Sequence, residues 1–237
     1  MPASAGKSQV NLECRLGREA GLLAPCQTPP RLPRVKKVLV VFCHPALENS
    51  RINRAWVDRA RALSGITVRD LYELYPDFDI NIRAEQKALL EHDIIVLQHP
   101  LYWYSPPALM KQWFELTLEH GWAYGAGGDA LKGTPLLQAV STGGDMDAYT
   151  PEGFHGSTLA EFLLPCKRTA TLCGMDYLPP FVAHGAFTMD EQETARSADD
   201  YTCLLESLRD ETIVLERARQ RERLTSSDIR VFKEGTI

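Results

Sequence analysis

From Lys37 to Cys43 the chain reads KVLVVFC, an apolar run of strand length without polar alternation, the pattern of a strand covered on both faces. Asp93–Gln98 (DIIVLQ) repeats that pattern, and Thr134–Val140 is a third such strand. Between them the period changes. In Ser50–Leu63 the apolar residues Ile52, Trp56 and Ala60 recur every fourth position, which predicts an amphipathic helix. Ile66–Leu71 alternates as a short strand, and Ala84–Glu91 reads as a short helix. Pro106 to about Glu119 is expected to be helical, with Ser105 as N-cap and prolines in the tolerant first turn. Leu159–Cys173 is expected to form a helix kinked at Pro165. Met175–Ala183 reads as a last strand, irregular at Pro179 and Pro180, and Glu191–Arg223 as one long helix. Strand and helix alternate five times, which argues for an α/β fold: a five-stranded, doubly wound parallel sheet of order 2-1-3-4-5 with helices on both faces. Such sheets bind ligands beyond the carboxyl ends of their strands, at the switch point between strands 1 and 3. The loops after Cys43, Gln98 and Val140 are therefore expected to meet.

Those loops hold the unusual residues. The first, from His44 to Asn53, opens a helix whose free amides and positive dipole end favour an anion. Ser50 is suited both to cap and to donate, and His44, Arg51 and Asn53 add donors; an ordinary strand-to-helix loop with a serine cap is the alternative. No Walker or dinucleotide glycine motif occurs, which disfavours ATP or Rossmann-type NAD binding. The second loop carries Leu101-Tyr102-Trp103-Tyr104. Three consecutive aromatics cannot all face a core, so they are candidates for a platform under a flat ring; packing beneath a loop or against another copy is the alternative. The third begins Ser141-Thr142-Gly143-Gly144, with Tyr149 and His155 downstream. Paired glycines admit close approach of a ligand to backbone N–H groups, and a Tyr and a His beside them are candidate donors to developing charge. A purely structural histidine is the alternative. Gly121–Gly128, containing Trp122 and Tyr124, reads as a mobile aromatic flap or a plain surface turn.

Composition narrows the partners. Of 237 residues, 44% are apolar and 24% charged, ordinary values for a folded domain. No stretch approaches the roughly 18 consecutive apolar residues of a membrane span, and no secretory signal is recognisable. Residues 1–37 carry seven Lys/Arg against two Glu, while the other 200 carry 19 against 29. An acidic body excludes nucleic acid as a partner of the core; the basic arm reads as a solvated tail or a contact for an anionic surface. Residues 1–35 are punctuated by Pro and Gly and are expected to be a flexible tail, 36–223 the folded domain, and 224–237 a second tail. The six cysteines show no CxxC or zinc spacing, so no metal site is expected and reduced, cytoplasmic thiols are.

Taken in order and spacing, His44-Pro45, Ser50-Arg51-Ile52-Asn53, Leu71–Phe78, Gln98–Tyr104, His120–Gly125 and Thr142-Gly143-Gly144 resemble the flavodoxin-like NAD(P)H:quinone oxidoreductases. The closest likeness is to the ancillary flavoproteins of glutathione-gated Kef potassium-efflux systems. The resemblance implies a flavodoxin-like subunit in a homodimer that holds flavin without a covalent bond at the subunit interface. It implies that His44 and Ser50–Asn53 (Ser50, Arg51, Ile52, Asn53) hold the flavin phosphate and that Leu101, Tyr102, Trp103 and Tyr104 lie along the ring. Ser141, Thr142, Gly143 and Gly144 would line the pyrimidine edge, with Tyr149 and His155 as catalytic residues and Tyr124 reaching the partner's substrate pocket. FMN is expected, with FAD the alternative, and NAD(P)H as donor to a quinone-like electrophile by ping-pong hydride transfer. The resemblance further implies an activator docked on the cytoplasmic face of a potassium-efflux antiporter, hence a cytoplasmic protein, peripheral on the inner membrane face; a non-catalytic regulatory role is the alternative. Ala126 stands where the mammalian enzyme has an aromatic, which opens the pocket, and Ser141 replaces a commoner Thr. A one-electron flavodoxin carrier is a rival, though His44-Pro45-Ala46 is not the usual flavodoxin phosphate loop. A flavin-free interaction domain, marked by a colourless protein, is the remaining one.

Overall fold

Continuous apolar runs become central strands when both faces are covered, and the two longest here do so. In the computed structural model, which describes residues 35–212 and 215–224, β1 (Val38–Phe42) lies between β2 (Ile66–Asp70) and β3 (Ile94–Pro100), with β4 (Pro135–Ser141) beyond β3. All pairs are parallel: Val38 stands opposite both Ile66 and Ile94, and Gln98 opposite Ala139. Of the tail predicted for residues 1–35, residues 1–34, with Cys14 and Cys26 among them, lie outside the described residues, as do residues 225–237.

The sheet order is 2-1-3-4-5, a flavodoxin-like arrangement as expected. Its last position departs from the expected single strand. β5 (Asp176–Tyr177) and β6 (Phe181–Ala183) both pair with β4, interrupted by Leu178-Pro179-Pro180. Two adjacent prolines offer no N–H to the ladder, so pairing stops and resumes.

Alternate residues of β1 divide the core. Val38, Val40 and Phe42 face α1 (Ile52–Ala62) and α6 (Glu191–Arg209), where Trp56 stacks on Tyr201 with ring centroids 4.9 Å apart. Leu39, Val41 and Cys43 face the other layer, formed by α2 (Leu71–Leu74), α3 (Ile82–Leu90), α4 (Ala108–Thr117) and α5 (Leu159–Leu172). Removing a side chain as large and buried as Trp56 typically costs about 3–5 kcal/mol. Cys43, Cys166, Cys173 and Cys203 are free thiols; burial pushes Cys166 up to about 12.

Two helix assignments are corrected. α4 begins at Ala108 with Pro107 at its N-cap, because Ser105 is held in a turn with Tyr102. α6 stops at Arg209 instead of running to Arg223: the Arg209 carbonyl accepts the Lys36 N–H at 2.7 Å, and the Arg209 side chain grips Asp210 and the Ser64 carbonyl. A further short helix, α7 (Leu215–Ala218), follows. The helix through Pro165 is continuous from Leu159 to Leu172. Leu224, expected at the start of a tail, is buried in the core, its N–H donating to the Pro180 carbonyl at 2.8 Å.

Candidate functional site

The three strand-exit loops meet, and hydrogen bonds close the circuit between them. Leu101 N–H donates to the Ser141 carbonyl at 2.8 Å, joining the ends of β3 and β4. Asn53 Nδ2 donates to Ser141 Oγ at 2.7 Å, joining the start of α1 to β4. Tyr102 Oη lies 3.3 Å from His44 Nε2, joining the exits of β3 and β1.

At the β1 exit, Ser50 Oγ accepts the Asn53 N–H at 3.2 Å, so its own proton is left to donate. Asn53 is only 1% exposed. Its carbonyl accepts from Gln98 Nε2, whose amide oxygen accepts from the buried Tyr201 hydroxyl; Asn53 Oδ1 itself has no partner. Burial lowers His44 below the usual imidazole range, against the pull of Glu48. The neutral ring accepts the Ala46 N–H at Nδ1 (3.2 Å), so its proton sits on Nε2 and donates to Tyr102 Oη. The Tyr102 phenol proton is then free to point elsewhere. The side chains of two residues of this loop make contacts elsewhere in the chain. Ile52 buries its side chain in the core beside Trp56, which leaves its backbone at the helix start. Arg51 Nη2 donates to the carbonyls of Ala186 and Phe187, each at 3.2 Å, and clamps the loop after β6.

At the β3 exit, Tyr102 and Ser105 exchange both backbone hydrogen bonds across a two-residue turn, each at 3.0 Å. Its central residues, Trp103 and Tyr104, have φ of 49° and 66°. This is the left-handed region that Asn and Gly fill in such hairpins, and placing larger residues there costs roughly 1 kcal/mol or more each. The strain presents aromatic side chains and two amides that the turn does not use. Trp103 is 94% exposed, while Tyr104 stacks on Phe162 at 4.9 Å.

At the β4 exit, Tyr149 closes a short 3-10 turn and its ring lies 4.6 Å from His155, which Tyr104 meets edge-on at 5.4 Å. His155 N–H donates to the Ala148 carbonyl at 3.0 Å, and its buried Nδ1 has no partner. A Cβ on Gly143 would overlap the Phe187 ring, and one on Gly144 would press on Tyr149 at 3.4 Å. The glycine pair thus makes room for aromatic rings.

Tyr124 is not drawn into this group. It packs edge-on to His120 at 5.4 Å within a loop tied by Gly121 N–H to the Tyr124 carbonyl at 2.7 Å. Sequence reasoning missed Phe187 and His184. The His184 ring lies 5.7 Å from Tyr149, but its partners are distant in sequence and no spacing announces them.

Known proteins share the fold and much of the sequence. Residues 36–204 match the model of the family described as having a flavodoxin-like fold. The chain is 44% identical over 166 residues to the glutathione-regulated potassium-efflux system ancillary protein KefF of Enterobacter sp. (strain 638), covering 69% of this chain and 92% of that protein. Among solved structures, general stress protein 14 of Treponema denticola in complex with FMN is 41% identical, with a TM-score of 0.70 over 73% of this chain and 99% of that one. An NADPH-quinone reductase from P. pentosaceus is 30% identical, with a TM-score of 0.64 over 71% and 96%.

Proposed function

The chain belongs to the flavodoxin-like family of NAD(P)H oxidoreductases, and from that premise we propose that it binds FMN without a covalent bond and uses it to reduce quinones or related electrophiles with NAD(P)H. The observation that carries the reading is the closed circuit of hydrogen bonds that brings the β1, β3 and β4 exits to one place. The residues fit the group. Asn53 Oδ1 and His155 Nδ1 are buried polar atoms without partners, which fold at a cost unless a ligand completes them.

In this reading the phosphate rests at the start of α1, where the Ser50 hydroxyl and the free amides of the first turn donate. Arg51 contributes through the loop it clamps. The amides of Trp103 and Tyr104 meet the ring edge, and their strained turn holds the aromatic side chains beside it. Bound FMN supplies the hydride chemistry. Tyr149, His155 and the Gly143–Gly144 backbone stabilise negative charge at the pyrimidine edge, where one well-placed donor is worth about 3 kcal/mol. The reading includes a two-step, ping-pong exchange, in which donor and acceptor would use the site in turn. Tyr124, which packs on His120, serves the site of a second copy in a homodimer. The KefF likeness supports a further role as activator on the cytoplasmic side of a potassium-efflux antiporter; among the described residues no helix is long and apolar enough to cross a membrane.

Stopped-flow half-reactions test the catalytic reading. NAD(P)H should bleach the flavin in the absence of acceptor, and a quinone should restore its colour in a second mixing step. A flavin that NAD(P)H leaves oxidised would contradict it.

A further inference from the structure

Past the residues that the family match covers, the chain returns to the site. Ala218 at the end of α7 and Leu224 beyond it are buried in the cluster that holds Phe181 and Tyr201, and the Arg219 guanidinium pairs with Asp176. This strap delivers Arg223, whose Nη1 lies 3.3 Å from His184 Nε2. His184 Nδ1 lies 3.0 Å from Thr142 Oγ1, and the Thr142 hydroxyl donates to the Gly144 carbonyl at 2.8 Å. A guanidinium only donates, so His184 Nε2 must accept and the imidazole proton must sit on Nδ1. That proton goes to Thr142 Oγ1, which therefore spends its own on Gly144. The chain of bonds has one direction, from Arg223 to the glycine loop.

We propose that Arg223 is a positioning residue: it fixes His184 as the neutral Nδ1–H tautomer and through it sets Thr142 and the Gly143–Gly144 backbone that faces the reacting edge of the cofactor. The role toward the cofactor rests on the flavin reading; the control of His184 does not. The groups facing His184 are Arg223 from the strap, Asp145 and Thr142 from the β4 exit, and the Tyr149 ring. Burial first and Arg223 second push the imidazole down to about 4, against the pull of Asp145. A protonated His184 would set an Nε2–H against the guanidinium, so the loop keeps one hydrogen-bonding state across the neutral range.

The test is histidine ¹⁵N NMR on the full chain, with and without FMN. The wild type should show a neutral, Nδ1-protonated His184 through about pH 5. Arg223→Met should give mixed tautomers and a protonation midpoint higher by about one unit, together with FMN affinity about fivefold weaker. Arg223→Lys, which keeps the charge and stem, should hold the low midpoint, and serves if the Met variant does not fold. A wild-type tautomer and midpoint in the Met variant would overturn the proposal, as would a Lys variant whose midpoint rises as far. If the wild type takes up no FMN while His184 responds to Arg223, the flavin reading fails and the control of His184 stands. If FMN binds and His184 ignores Arg223, the reverse holds.

Discussion

Two groups of polar side chains in this molecule differ in completeness. Under the β2 edge, Glu85 is fully buried and accepts from Arg69 Nε at 2.9 Å, from Trp113 Nε1 at 2.9 Å and from the Tyr75 hydroxyl. Its oxygens are satisfied by side chains of this chain. At the carboxyl ends of the strands, Asn53 is buried and His155 half-buried, yet the buried atoms Asn53 Oδ1 and His155 Nδ1 lack partners, and the Trp103-Tyr104 turn that meets His155 is strained. The complete cluster serves the fold, whereas the unpartnered atoms at the strand exits are the ones that the proposed ligand would complete.

The sharpest way to break this contrast is Glu85→Ala. It leaves the half-buried Arg69 without its counter-charge and the buried Trp113 Nε1–H without an acceptor, and should lower stability by about 3–5 kcal/mol in urea unfolding, while folded protein keeps its FMN affinity. The mirror experiment is His155→Ala. Turnover should fall by about 100-fold, the equivalent of about 3 kcal/mol, with flavin still bound and the unfolding midpoint little changed; unchanged half-reaction rates would make His155 structural. Asn53→Ala tests the other end. It should weaken FMN binding by about tenfold, about 1.4 kcal/mol, as measured by recovery of flavin fluorescence, and cost the apoprotein about 1 kcal/mol from the lost bond to Ser141. The smallest effect has the opposite sign. Replacing Trp103-Tyr104 by Asn-Gly relieves the left-handed strain and should stabilise the apoprotein by about 1 kcal/mol while weakening FMN. A destabilised variant would mean that the aromatics hold the fold and not the ligand.

The central sheet and the meeting of its loops were legible because burial on both faces writes an unbroken apolar run, as in Val38–Phe42 and Ile94–Leu97. Topology then places the strand exits without knowledge of any side chain. What was illegible depended on partners far away in sequence. The end of α6 is set by Lys36 taking the Arg209 carbonyl, and nothing in the charged run after Arg209 records that. Ser105 resembles an N-cap, but its backbone is committed to Tyr102 by a turn whose residues break the usual turn code. Ile52 and Arg51 stand side by side in the loop after β1, yet one side chain faces the core and the other the β6 exit. His184 lies 42 positions from Thr142 and 39 from Arg223, so only the fold brings the three together.

The most direct measurement is titration of the purified apoprotein with FMN, followed by absorbance and flavin fluorescence, with mass spectrometry of whatever chromophore the protein carries when isolated. Stoichiometric uptake of one FMN per chain, with fluorescence quenched as the ring settles among the aromatics, is the expected result. A colourless protein that leaves FMN fluorescence unchanged at every concentration would contradict the account.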